Sequence, residues 1–159
     1  MVEPMSPMTY QQLRTNWKIN HLNNLNLLDF LEKVTTEDND DRINQPIRPR
    51  GRTVQTMLEH LVKNKFDWLQ HLKPSLDDYQ VPTADTPLRK QEVIAFNWVD
   101  KLIQLQAAGT KVSGFKSDLF GFVIYLISHD SHHRGQIMQT LKTNGILVPK
   151  SIQYGIWEW

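Results

Sequence analysis

The chain of 159 residues contains no cysteine. This absence excludes disulfide bonds, thiolate metal sites, iron–sulfur clusters and a cysteine nucleophile. Any metal ion would therefore have to be bound by histidine and carboxylate side chains. Glycine is also scarce, with seven residues distributed along the chain, and they form no glycine-rich turn of the kind that binds dinucleotides or phosphates.

An excess of either charge is missing as well. Eighteen Lys and Arg residues against seventeen Asp and Glu residues give a net charge of +1. The basic residues are spread along the chain, whereas a nucleic-acid groove normally needs a dense basic footprint. We therefore expect no nucleic-acid partner.

Long hydrophobic runs are absent too. No apolar stretch approaches the ~20 residues of a membrane-spanning helix. Residues 1–8 have neither the basic region nor the apolar run of a signal peptide. From these two absences we expect a cytoplasmic protein with no membrane partner.

Length and periodicity predict one domain of four helices over residues 1–159. A chain of this length can bury roughly two-thirds of its unfolded surface in a single core. No segment shows the sustained alternation of a strand, and only the tail from Ile146 to Trp159 lacks helical periodicity.

The helical blocks run from about Tyr10 to Val34, from about Thr53 to Leu72, from Thr86-Pro87 to Ala108-Gly109, and from about Ser117 to Asn144-Gly145. Thr86 is predicted to cap the third helix and Gly109 to end it. Four amphipathic helices in one small domain predict an all-α four-helix bundle.

Three of the six histidines lie in the fourth helix. At about 100° per residue, His129 and His133 lie within about 20° of Phe122 on the core face, while His132 lies about 100° from His133. Two imidazoles at positions i and i+4 can hold the same ion if other helices complete the ligand set. They can also be core histidines that are satisfied by hydrogen bonds. The pattern alone leaves both interpretations open.

Two familiar hydrolytic sites do not match this segment. Zincin proteases use His-Glu-x-x-His with Glu as the general base, whereas Asp130 follows the first histidine here and no histidine lies beyond His133. A serine nucleophile would need a strained turn, and Ser128 and Ser131 lie inside a helix without a Gly-x-Ser-x-Gly motif. We expect neither type of site.

The segment from His129 to Ile137, His-Asp-Ser-His-His-Arg-Gly-Gln-Ile, resembles the fourth-helix signature His-x-x-x-His-Arg-Gly-Gln of the DinB/YfiT-like metalloenzymes. Asn16-Trp17 in the first helix and Leu58-Glu59-His60-Leu61 in the second, with Trp68 beyond it, agree in order and position. The resemblance implies an up-down-down-up bundle, in which the second and fourth helices run antiparallel.

In that family three histidines hold nickel, zinc or a similar ion, and the resemblance assigns these roles to His60, His129 and His133. Three neutral nitrogens with an open position are typical of a catalytic zinc site. Some relatives act on small molecules linked to thiols such as bacillithiol or mycothiol. The resemblance therefore implies a metal-dependent thiol S-transferase or hydrolase with a small-molecule substrate. The alternative is a non-catalytic, metal-binding or stress-associated structural protein. Imidazole suits both Ni²⁺ and Zn²⁺, so the residues do not distinguish them.

Periodicity and resemblance disagree about the third histidine. His60 lies about 120° from Val54, at the margin of the apolar stripe of the second helix, and His71 is assigned to the stripe itself. An antiparallel second helix, however, presents its early turns to the fourth-helix pair, which favours His60. His71 would lie about 16 Å further along the axis. His71 is kept as the alternative to His60.

Other polar residues near these motifs receive structural interpretations. Helical geometry turns Asp130 away from its neighbour His129, which makes a supporting role for its carboxylate the less favoured interpretation. Arg134 and Gln136 could bind substrate or support the site, but for Arg134 a solvated or interhelix position is the favoured interpretation. His21 is predicted to cap an edge of the first helix, with no role in metal binding.

We expect a homodimer, because relatives commonly pair through their helices and the aromatic tail from Tyr154 to Trp159 offers a surface for contact. Light scattering at micromolar concentration should then return about twice the chain mass of 18.6 kDa. A mass close to that of one chain would contradict the expectation.

Overall fold

The computed structural model describes residues 7–114 and 118–155. Within these ranges there are four long helices, as predicted, and no strand. The helices are α1 (Pro7–Thr36), α2 (Val54–His71), α3 (Leu88–Ala107) and α4 (Leu119–Thr143), and a short helix α5 (Lys150–Gln153) follows them. The tail therefore does contain a helical turn, which is too short for periodicity to reveal. Most of the aromatic tail proposed as a dimer contact, residues 156–159, lies outside the described residues.

The ends of the helices follow local side-chain chemistry. The Thr53 hydroxyl accepts a hydrogen bond from the Thr56 N–H at 3.2 Å, which caps α2. Gly109, at φ +79°, ends α3 as predicted. The predicted cap at Thr86 is wrong, because Pro87 is the residue before the first turn of α3 and offers no side-chain hydrogen bond. The Thr86 hydroxyl instead lies 3.1 Å from that of Thr83, within a turn.

Ion pairs near both ends of α1 define its direction relative to α3. The Arg14 guanidinium donates to Asp100 at 2.7 Å, and the Arg89 guanidinium donates to Asp29 at 2.6 Å. An early residue of α1 thus contacts a late residue of α3, and a late residue contacts an early one. The two helices are antiparallel.

Contacts of α4 establish the remaining directions. His60 lies beside His129 and Trp68 beside Tyr125, so α2 and α4 are antiparallel. Leu13 lines a groove together with Phe120, and Leu27 lines one together with Met138, so α1 and α4 are parallel. The bundle is therefore up-down-down-up. A long connection between the parallel helices α2 and α3 packs Leu76 and Tyr79 into the core, and burial raises the pKa of Tyr79 to about 12.

The apolar core consists of two clusters, one towards each end of the bundle. The first is built around Trp17, Leu61 and Leu126, and the second around Leu31, Leu58 and Ile137. Buried polar side chains from all four long helices lie between them: Asn20, Asn24, Lys65, Glu92 and Asp130. Among the described helices, none combines the length and the apolar character needed to cross a membrane.

Two glycines should respond oppositely to substitution by alanine. Gly114 has φ +90°, and a Cβ atom there would collide with the carbonyl oxygen of His71. Gly135 lies inside α4, where an added methyl group would meet open space, and alanine is the better helix former. Gly114→Ala should lower the free energy of unfolding by about 1–3 kcal/mol, and Gly135→Ala should raise it by about 0.5–1 kcal/mol. Urea denaturation measures both, and a shift of the same sign in both variants would contradict the backbone geometry.

Candidate metal centre

Three histidines from two helices converge at the level of the polar layer. His60 lies in the second turn of α2, and His129 and His133 lie one turn apart on α4. The Nε2 atoms of His60 and His129 are 3.3 Å apart. The ring centroid of His133 is 4.7 Å from that of His60 and 4.4 Å from that of His129. One nitrogen from each ring lies within 4.8 Å of the other two, so this group could hold one metal ion.

The hydrogen bonds of His133 leave one of its nitrogens free for an ion. Its Nδ1 lies 2.8 Å from Oε1 of Gln136. A carbonyl oxygen can only accept, so Nδ1 carries the proton and Nε2 keeps its lone pair. His129 has a buried Nδ1 without a hydrogen-bond partner among the described residues, and the nearest carboxylate oxygen, Oδ1 of Asp130, lies 3.6 Å away. That separation is too long for a hydrogen bond.

The spacing of His60 and His129 and the protonation of His60 and His133 suit a divalent ion. Tetrahedral coordination with metal–nitrogen distances of about 2.0–2.1 Å places ligand nitrogens about 3.3–3.4 Å apart, close to the separation between His60 and His129. Burial lowers the pKa of His60, and the nearby positive charge of Arg52 lowers it further. Burial also lowers the pKa of His133, against the opposing effect of Gln136. Both rings are therefore neutral at pH 7, the form that binds metals.

His71 and His132 lie outside this group. His132 is exposed on the flank of α4, as predicted from its position on the helical wheel. His71 is exposed at the end of α2, with its ring 5.8 Å from that of Trp68. Its assignment to the apolar stripe is wrong, because at about 100° per residue it lies about 100° from Val54. The structure brings His60, and not His71, to the fourth-helix pair.

The polar layer beside the histidines is built on a fully buried lysine. Lys65 Nζ lies 2.9 Å from Oδ2 of Asp130 and 3.1 Å from Oε2 of Glu92. Burial alone would lower the pKa of Lys65, but the two carboxylates outweigh burial and raise it. Burial likewise acts to raise the pKa of Asp130, yet the Lys65 charge holds it well below its usual range. Lys65 and Asp130 are therefore both charged in the core.

Hydrogen bonds from α1 and α4 complete the layer. The side-chain amides of Asn20 and Asn24 each donate to Oδ2 of Asp130 at 2.8 Å, and that of Asn24 also donates to Oε1 of Glu92 at 3.0 Å. The Arg134 guanidinium donates to the amide oxygens of both asparagines. Arg134 is thus an interhelix residue, one of the two roles predicted for it.

His21 belongs to the same layer. Its Nδ1 lies 3.2 Å from Oε1 of Glu92, and its ring stacks on Phe96 with centroids 4.2 Å apart. The prediction that His21 caps an edge of α1 is wrong, because the side chain is buried against α3. It does not belong to the three-histidine group.

Sequence reasoning missed the layer although a signal for it exists. Lys65 lies within about 20° of Val54 on the helical wheel of α2, in the middle of the apolar stripe. Asp130 lies about 80° from Phe122 on the wheel of α4, at the edge of the core face. A charged residue at the centre of an apolar stripe indicates a buried partner of opposite charge. The partner itself cannot be identified from one helix.

An open cleft reaches the histidine group from one side. Its volume is about 550 Å³, and it lies between α4 and the connection from α1 to α2. His133 and Gln136 line one wall, and Met57 of α2 lines another. Of the three histidines, His133 lines this cleft.

Comparison with known proteins found one relationship. The sequence profile of the DinB family matches residues 5–155, nearly the whole chain. No curated protein and no solved structure was found to match. The match agrees with the resemblance recognised in the fourth helix and extends it over all the described helices.

Two lysines of α2 provide a test of the buried layer. Lys65→Met would leave Asp130 and Glu92 buried without their cation and should lower the free energy of unfolding by about 3–5 kcal/mol. Lys63 pairs with Asp67 on the surface, with 71% of its side chain exposed, so Lys63→Met should change it by less than about 1 kcal/mol. Urea denaturation of the metal-free proteins measures both, and similar values for the two variants would rule out a charged layer.

Proposed function

The chain belongs to the DinB family, and on that premise we propose that it is a metal-dependent enzyme whose single divalent ion, nickel or zinc, is held by His60, His129 and His133. The observation that carries the proposal is the open cleft beside His133. A structural ion is normally closed off by protein ligands, whereas a catalytic ion keeps a position open to water or substrate.

We assign the reaction to the thiol S-transferase or hydrolase class. A divalent ion on three neutral imidazoles lowers the pKa of a water or thiol bound beside it. The protein contributes the position of the rings: Gln136 fixes the tautomer of His133, and the polar layer holds the turn of α4 that carries His129. The cleft volume lies in the range of small-molecule sites, which supports a small, thiol-linked substrate.

A second candidate is a non-catalytic role, in which the ion stabilises the bundle. It is favoured by the fact that the three histidines come from two different helices, so that an ion would join α2 to α4. The two candidates differ in their consequences. The structural role requires a large loss of stability on metal removal and no turnover, whereas the catalytic role requires turnover that depends on the metal.

Elemental analysis of protein purified without a polyhistidine tag tests the metal, and a thiol-transfer assay tests the reaction. We expect about one nickel or zinc ion per chain. The loaded protein should accelerate the conjugation of bacillithiol or mycothiol to monochlorobimane, and a chelator should abolish this. A metal-free preparation that cannot be loaded would refute the proposal, and a loaded protein that does not accelerate thiol conjugation would favour the structural role.

Substitution of single histidines tests the ligand set. His129→Ala and His133→Ala should abolish stoichiometric binding, and His132→Ala should leave it nearly intact, because its ring is exposed. On α2, His60→Ala should weaken binding by well over 10–100-fold, since even the loss of a supporting hydrogen bond has about that effect. His71→Ala is the matched control and should bind as tightly as the unmodified chain.

Calorimetric titration with Zn²⁺ and Ni²⁺ measures these affinities, after circular dichroism has shown that each variant is folded. A steep loss in the His71 variant with none in the His60 variant would contradict the assignment. The homodimer and the cytoplasmic location remain predictions from the sequence.

A further inference from the structure

The connection between α1 and α2 supplies three arginines to one wall of the cleft. Arg48, Arg50 and Arg52 line it, and His133 and Gln136 of α4 lie in the same cleft. A turn closed by the hydrogen bond from the Gly51 N–H to the Arg48 carbonyl oxygen, at 2.9 Å, shapes this segment. Arg50 adopts φ +62° within it, a conformation that is sparsely populated for residues other than glycine.

These three arginines differ from the others in the chain. Each of the other four makes a side-chain hydrogen bond: Arg14 to Asp100, Arg42 to Asp40, Arg89 to Asp29, and Arg134 to Asn20 and Asn24. Within the described residues, the guanidinium groups in the cleft have no hydrogen bond or ion pair. The cleft lining also contains no acidic residue. Its positive charge is therefore not balanced by a neighbouring carboxylate.

We propose that this cleft is a binding subsite for the anionic group of a small organic molecule, a carboxylate or a phosphate, held by Arg48, Arg50 and Arg52. Guanidinium groups bind both anions through paired hydrogen bonds. Ile47 and Met57 supply apolar surface for the carbon skeleton. This inference rests on the proposed function, because it places the reactive end of the same molecule beside His133.

The shape of the cleft favours a small molecule over nucleic acid. The three charges line a concavity of about 550 Å³, which suits a compact ligand. A nucleic-acid site would need basic residues along an extended surface, and the opposite wall of the cleft contributes neutral amides and a hydroxyl from Gln136, Gln139 and Thr140.

Calorimetric titration with inorganic phosphate and with succinate, at low ionic strength, tests the subsite in the zinc-treated and the untreated protein. We expect at least one of the two anions to bind with one site per chain, and the more tightly bound one to identify the group that is recognised. The triple variant Arg48→Gln, Arg50→Gln, Arg52→Gln should bind it at least tenfold more weakly. Its zinc content should equal that of the unmodified chain.

The matched control removes three positive charges elsewhere. Lys18, Lys73 and Lys111 are exposed and do not line the cleft, so the triple variant Lys18→Gln, Lys73→Gln, Lys111→Gln should keep its affinity for the anion within about twofold. Equal losses in the two triple variants would show a general effect of net charge and would overturn the inference. Absence of anion binding to the unmodified protein would overturn it as well.

A single-stranded oligonucleotide series provides the remaining comparison. Binding that tightens with oligonucleotide length, and that is lost in the arginine variant, would identify a nucleic-acid surface and overturn the small-molecule subsite. The result can be separated from the proposed function, since anion binding is measured with and without zinc. A protein that binds anions but no metal would refute the metal-dependent enzyme alone, and a protein that binds metal but no anion would refute the subsite alone.

Discussion

The structure depends on one buried charge, that of Lys65. An ammonium group without contact to water is strongly unfavourable unless carboxylates and hydrogen bonds surround it. Asp130 from α4 and Glu92 from α3 supply the charges, and asparagines of α1 orient both carboxylates. Each of the four long helices thus contributes at least one side chain to the same polar layer. Apolar packing alone tolerates small shifts of one helix along another. The hydrogen bonds and ion pairs of this layer, however, can all form at only one alignment of the helices.

The register set by the layer also assembles the histidine group. His129 precedes Asp130 directly, and His60 lies five residues before Lys65 on the facing helix. The ion pair between Lys65 and Asp130 therefore fixes the relative height of the two segments that carry the histidines. A helix is stiff over such distances, so fixing one residue fixes the side chains a turn away. The ion pair between Lys65 and Asp130 thus brings the three imidazole rings to one level of the bundle.

Features that depend on residues close together in sequence can be predicted from the sequence. Features that depend on residues far apart in sequence cannot. Helix ends at Thr53 and Gly109 depend on neighbouring residues, and the paired histidines of α4 depend on one helical turn, so local patterns predict them. Lys65 and Asp130 are 65 residues apart in sequence, and each alone is a charge that would ordinarily face water. The helical wheel of α2 puts Lys65 on the core side, a signal that the sequence analysis did not use, and only the fold supplies its partner. To predict that His60 lies beside the histidines of α4, the direction of α2 must be known. The family resemblance implies that direction, and periodicity does not.

Neither the polar layer nor the cleft gives the site a net negative charge. Asp130 lies near His129, but Lys65 and Arg134 together offset the charges of Asp130 and Glu92, so the protein offers little net negative charge to a divalent ion held by the three histidines. The cleft adds three unbalanced arginines, one of which lowers the pKa of His60. This positive charge favours the neutral, coordinating form of His60, yet it would also repel a divalent ion. An anion in the cleft would remove that repulsion, so binding of the ion and of the anion should each strengthen the other by the same factor.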